Sequence, residues 1–175
     1  MDYLEIARNR QSCRAYDPER DIEDEKLEAC LEAARLAPSA CNAQPYHITL
    51  ARGESARQVG EATRSMGMNQ FTKDVPVFLV ISEDSYNRTA AVGAKLKKQD
   101  YRSVDIGIAA AYITAEAHTQ GLGSCILGWF DEKRLQSLLG ITEPVRLVIS
   151  LGYAKAGDPL RSKKRKEMDQ LVSRL

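Results

Sequence analysis

At 175 residues, 43% hydrophobic and 28% charged, the chain has the length and composition of one globular domain, and a disordered or collagen-like protein is excluded. Twenty-five Lys and Arg against 24 Asp and Glu leave a net charge of +1, so no whole-molecule field recruits nucleic acid or an acidic membrane, and any basic site must be local. The N-terminus carries Asp2 and Glu5 where a signal peptide has positive charge, and no apolar run nears the ~18 residues of a membrane span, so the cytoplasm is the expected location.

Tyr3 to Arg10 reads as a short opening helix, and a stronger one follows from Asp24 to Leu36, with Leu27, Leu31 and Ala34 at helical spacing behind an acidic first turn. Tyr46 to Leu50 alternates like a strand, Glu54 to Met66 is expected to be helical, and Val75 to Ile81 looks like a strand buried on both faces. From Tyr101 to Gln120 the chain is rich in Ala and Ile, which predicts a central helix inside the core, stopped by Gly121-Leu122-Gly123. Ser124 to Phe130 reads as a strand, Asp131 caps a short helix to Leu139, Val145 to Leu151 is the last strong strand, and Lys155 to Leu175 is a polar, basic tail. Without repeats or linkers, residues 1–175 form one layered α/β or α+β domain with a mixed sheet.

Common catalytic arrangements are missing. His47 falls in a strand pattern and His118 near a helix end, both read as structural, and no Ser occupies a nucleophile elbow. Cys13, Cys30, Cys41 and Cys125 lack a CxxC pair or metal spacing, so neither a disulfide framework nor a metal site is expected. Gly121-Leu122-Gly123 stands between helix and strand with Ile126 at the third glycine position, the wrong order for a dinucleotide fingerprint, and no GxxxxGK[ST] loop exists. What remains is cationic: Arg8, Arg10 and Arg14 near the beginning, and Arg161, Lys163, Lys164, Arg165 and Lys166 near the end. Arg is a planar fork suited to phosphate, and Ser12 adds a hydroxyl donor; a solvated basic surface is the competing reading. Pro38 to Tyr46 packs two prolines and several neutral polar side chains between a helix and a strand, either an ordered connection or a loop that recognises a polar heterocycle or polyol.

Arg10-Gln11-Ser12-Cys13-Arg14 and Pro38-Ser39-Ala40-Cys41-Asn42-Ala43-Gln44-Pro45-Tyr46, taken with the apolar strand Val75–Ile81, Gly121-Leu122-Gly123-Ser124, Leu127-Gly128, Leu151-Gly152-Tyr153 and Lys163-x-Arg165-Lys166, resemble the nitroreductase family of flavin enzymes over nearly the whole chain. The resemblance implies an α+β fold of three α/β/α layers, with a mixed, mostly antiparallel sheet around a buried central helix, in an interlocked homodimer. Two FMN molecules would lie at the subunit interface, reduced by NADH or NADPH. It assigns Arg10, Gln11, Ser12 and Arg14, joined by Lys163 and Arg165, to the phosphate and ribityl chain. It assigns Pro38, Ser39, Ala40 and Asn42 to the flavin of the partner chain, Asn69 and Lys73 to ring and ribityl contacts, with Lys73 near the N1 and O2 edge, and the Leu127-Gly128 backbone to the edge at N5. Many family members carry Glu where Leu127 stands, so only a backbone role is expected there.

The implied activity is hydride transfer from NAD(P)H through FMN to a small-molecule acceptor (a nitroaromatic, quinone, enone or flavin) by a ping-pong sequence, with no catalytic side chain because flavin N5 does the chemistry. The short stretch from Tyr86 to Asp100 implies a more open or differently covered substrate pocket. Alternatives are a specialist on the same fold, such as a dehalogenase or flavin-modifying enzyme, a non-catalytic flavin-binding or anion-binding module, and a nucleic-acid binder using Arg161 to Lys166. The last lacks a nucleic-acid motif.

Overall fold

A computed structural model describes residues 2–86 and 100–175; most of the stretch expected to shape the substrate pocket, residues 87–99, lies outside the described residues. The elements run α1 (Tyr3–Asn9), α2 (Asp24–Arg35), β1 (Tyr46–Arg52), α3 (Glu54–Thr63), β2 (Val77–Glu83), α4 (Arg102–Thr119), β3 (Gly123–Leu127), α5 (Glu132–Leu139), β4 (Val145–Gly152) and α6 (Met168–Leu171), with 3₁₀ turns at Ala40–Asn42, Ser65–Gly67 and Gln70–Asp74. Two caps act locally: Asp131, expected from the sequence, accepts from the Arg134 N–H at the start of α5, and Asp2 accepts from the Glu5 N–H at the start of α1.

The sheet order is β1-β2-β4-β3 and every ladder is antiparallel; the parallel pairing among the described residues is an isolated bridge between Ser12 and Ser124. Strand alternation builds two cores. Val77, Leu79 and Ile81 of β2 with Ile149 and Leu151 of β4 pack against Leu27, Cys30 and Ala34 of α2 and Ile106, Ala110, Ile113 and Ala117 of α4. Phe78, Val80 and Val148 point the other way, against Ala56, Val59 and Ala62 of α3 and Leu135 of α5. Helices on both faces explain why β2 is buried at every position, and they give the expected three layers.

Several boundaries differ from the sequence expectation, three of them instructively. The second strand begins at Val77 and not at Val75, since Pro76 has no N–H to donate. The third helix ends at Thr63 and the chain tightens into a turn in which Met66 has φ 54°. The third strand stops at Leu127, and residues 128–130 turn away from the sheet. The central helix α4 is covered along one side, by Asp105, Ile106, Ala109, Ala110, Ile113, Thr114 and Ala117. Its other side is open, with Val104 48% and Tyr112 43% accessible and Gly107 and Ala111 exposed between them. An Ala-rich, evenly apolar sequence predicts burial all round, and within one chain this helix has it on one face.

Candidate functional site

Arg10 caps α1, its N–H reaching the Ile6 carbonyl at 2.8 Å, and the chain then runs along the free edge of β3. The Cys13 N–H donates to the Ser124 carbonyl at 2.9 Å. Two facing glycines make this approach possible: a Cβ on Gly123 would lie 2.8 Å from Cys13 Sγ, and one on Gly152, its partner across the ladder, 2.8 Å from the Tyr16 ring. The helix stop read in Gly121-Leu122-Gly123 therefore serves a second purpose. With Cys13 buried, Arg10, Ser12 and Arg14 are left around the edge of β3, close to Cys125. Burial pushes the Cys125 thiol up, and Arg14, a hydrogen bond with Ser12, Arg10 and Arg161 pull it back, so three guanidinium groups and one hydroxyl converge near this thiol.

The tail closes over the segment from about 150 residues away. Gln11 Nε2 donates to the Pro159 carbonyl (3.1 Å) and Gln11 Oε1 accepts from the Arg161 N–H (2.9 Å). Arg161 donates to the Ser12 carbonyl (2.9 Å) and pairs with Asp158 (3.0 Å). Lys163 Nζ donates to the carbonyls of Ala7 (2.9 Å), Arg8 and Arg10 (2.7 Å), which are the last carbonyls of α1. Burial, then Arg10 and Arg165, hold the Lys163 amine below its ordinary range. Arg10, Arg14, Lys163 and Arg165 form no ion pair among the described residues. Like charges held together without an acid are a place for an anion.

Sequence-predicted residues thus divide by role. Gln11 and Lys163 turn their polar atoms to the backbone, where they fasten the segment. Arg161, which shared the basic cluster but was absent from the predicted site, is part of the same fastening. Its signal was the cluster alone, because its partners are distant in sequence.

The other predicted contacts lie elsewhere. The Ala40 N–H donates to Asp105 in the first turn of α4 at 3.0 Å, placing Pro38, Ser39, Ala40 and Asn42 at that end of the helix. Arg10 and Gln11 share a cavity of about 220 Å³ with His118 at the opposite end. Thirteen residue steps along α4 from Asp105 to His118 put these regions roughly 20 Å apart, so one chain does not bring them together. Asn69, itself at φ 49°, donates to the carbonyls of Thr63 (3.2 Å) and Trp129 (3.1 Å). It thereby ties the turn after α3 to the turn after β3, where Gly128, Trp129 and Phe130 wall a cleft of about 360 Å³ with Ser65 and Met66. Leu127 buries its side chain in the α3–α5 core. Lys73 lines a different groove, of about 910 Å³, with Arg20, Arg52, Arg57 and Arg64.

A family model described as the nitroreductase family matches residues 7–68 and 63–153. The chain belongs to this family. A relative from Archaeoglobus fulgidus, named for NADH dehydrogenase or NAD(P)H nitroreductase activity, is 34% identical over 161 residues, covering 87% of this chain and 85% of that protein. Among solved structures, a nitroreductase family protein from Streptococcus pneumoniae superposes with a TM-score of 0.83 at 18% identity, covering 99% of this chain and 100% of its own, a likeness of fold. An FMN-dependent nitroreductase from Clostridium difficile is 26% identical, with a TM-score of 0.72 over 95% of this chain and 93% of its own. The segments from which the resemblance was drawn lie inside the nitroreductase match, except for the tail from Ala154 onward.

Proposed function

We propose that the chain is an FMN-dependent NAD(P)H oxidoreductase that works as a homodimer and reduces nitroaromatic, quinone, enone or flavin acceptors. The observation that carries this reading is the unpaired cation cluster around Ser12. It offers guanidinium forks and a hydroxyl to a phosphate, while Gly128 stands four residues beyond Ser124, just past the end of β3, roughly 13 Å away at strand rise. FMN laid along β3 would have its phosphate on Arg10, Ser12, Arg14 and Arg165 and its ring edge at the Leu127-Gly128 backbone. Gln11, Arg161 and Lys163 hold that cradle, and Asn69 holds the Gly128 turn. Lys73, facing the far groove, is left out of the set.

When bound, FMN supplies the hydride chemistry between nicotinamide and acceptor. The chain binds the phosphate, orients the ring and presents backbone N–H groups to it. A second copy accounts for the open face of α4 and for the exposed Tyr3 and Leu4 of α1 beside it, 73% and 61% accessible. It also supplies what one chain lacks, a Pro38–Asn42 loop near the cation cluster. Purified protein is expected to be yellow or to bind added FMN, and to bleach anaerobically with NADH or NADPH. A protein that stays colourless after reconstitution with FMN would overturn the reading, and intersecting double-reciprocal lines would overturn the ping-pong order.

A further inference from the structure

The loop after α2 has an unusual backbone. Cys41, Asn42 and Gln44 hold φ of 52°, 50° and 46°, a left-handed conformation that is costly for residues with a Cβ and persists where surroundings enforce it. Part of the enforcement is internal. Ser39 Oγ accepts from the Gln44 N–H at 3.0 Å, Gln44 Nε2 reaches the Asn42 carbonyl at 3.1 Å, and the Ser39 carbonyl accepts from the Asn42 N–H at 3.0 Å. A bond from the Ala40 N–H to Asp105 Oδ1, 65 residues away, ties the loop to the core. Asp105 is 2% accessible, and its Oδ2 is buried with no hydrogen-bond partner among the described residues. Tyr46 stands close by, its hydroxyl pushed up by burial and then by Asp105, but it donates to the Ala34 carbonyl instead.

A buried carboxyl group with one oxygen unused is a poor device for stability, because an apolar residue there would leave no orphaned acceptor. We propose that Asp105 is a positioning residue for cofactor binding: by accepting the Ala40 N–H it fixes the left-handed turn that presents Ala40 and Asn42 to FMN. The proposal rests on the FMN reading above. It assigns Asp105 no contact with the cofactor and no part in hydride transfer. What it needs is an acceptor at Oδ1, which Asn provides and Ala does not.

The test compares D105A, D105N and A40P in the purified full chain, with FMN as the titrated ligand. A40P removes the donor from the other side, and Ser39, extended at φ −141° and ψ 158°, already has the backbone that a following proline requires. D105A and A40P should each weaken FMN binding about tenfold and the double variant no further, since both delete one interaction. D105N should bind within about threefold of wild type. In the protein without FMN, amide exchange across residues 40–44 should rise about tenfold in D105A and stay near wild type in D105N. Wild-type affinity and exchange in D105A, or equal damage in D105N and D105A, would overturn the proposal; if D105A does not fold, A40P with wild-type affinity overturns it. A wild-type chain that binds no FMN fails the reading above, and the exchange measurement then decides on Asp105 by itself.

Discussion

At the scale of single residues, the two basic clusters divide into groups without an ion pair among the described residues, Arg10, Arg14 and Arg165, and groups that hold the backbone, Arg161 and Lys163. Arg10 and Arg14 have no acid to lose, so Arg10→Ala or Arg14→Ala should raise the FMN dissociation constant by about ten- to a hundredfold. Apoprotein stability in urea should stay within about 0.5 kcal/mol of wild type. Lys163→Met keeps the aliphatic stem but removes three bonds to the carbonyls of α1, and should lower apoprotein stability by about 1 kcal/mol as well as weaken FMN. Identical behaviour of the two kinds of variant, measured by flavin fluorescence quenching and urea titration, would remove the distinction. Arg10 to Arg14 stand out in the sequence as adjacent cations around a hydroxyl, a pattern that also fits a solvated basic surface; the resemblance supplied their assignment to FMN, which is part of the proposal. The fastening by Arg161 and Lys163 was not legible, because a long-range bond from a side chain to a carbonyl leaves no trace in the identity of the residue that accepts it.

Among the elements, α4 is the one that the proposed second copy would cover. Its covered side packs on α2 and the sheet, and its open side runs through Val104, Gly107, Ala111 and Tyr112. Ala111→Glu places a charge on that open side, where the isolated chain tolerates it and an apolar dimer interface does not. The variant should sediment as a folded monomer with FMN affinity reduced at least about tenfold, since the Pro38–Asn42 loop of a second copy is then missing. A dimeric Ala111→Glu protein, or a monomer with full affinity, would separate this face from assembly. Existence and type of the elements were readable from periodicity: each expected helix and strand is present, displaced by a few residues at Pro76, Thr63 and Leu127. The sheet order β1-β2-β4-β3 was not, because strand pairing is chosen by contacts between segments as distant as β2 and β4, which share the same alternation as every other pair. The exposed side of α4 could not be read either, since a residue destined for another copy is as apolar as one destined for its own core.

For the whole molecule, the near-neutral balance of charge conceals a local asymmetry that pH should expose. Burial, then Lys163 and then Arg10, hold His118 below its ordinary 6.5, with Glu5 opposing weakly. The unfolded chain therefore takes up this proton first, so stability is fully present above about pH 6.5 and falls as pH drops below it. The carboxylates with shifted values act lower. Asp21 is held down by Arg52, and Glu23 lies at about 2 through its hydrogen bond from Tyr153; their contribution is lost only below the ordinary values of 3.8 and 4.5. Between about pH 6.5 and 4.5 the loss should belong to His118, so urea midpoints of the apoprotein at about pH 7.5 and 5 should differ in wild type and converge in His118→Gln. An FMN phosphate on Arg10 would offset part of the positive field that holds His118 down. Its folded value would then move back toward 6.5, narrowing the window, and the holoprotein should lose less stability than the apoprotein over the same range. Equal losses in wild type and His118→Gln would place the acid sensitivity elsewhere. Equal losses with and without FMN would place the phosphate away from the end of α4 that carries His118.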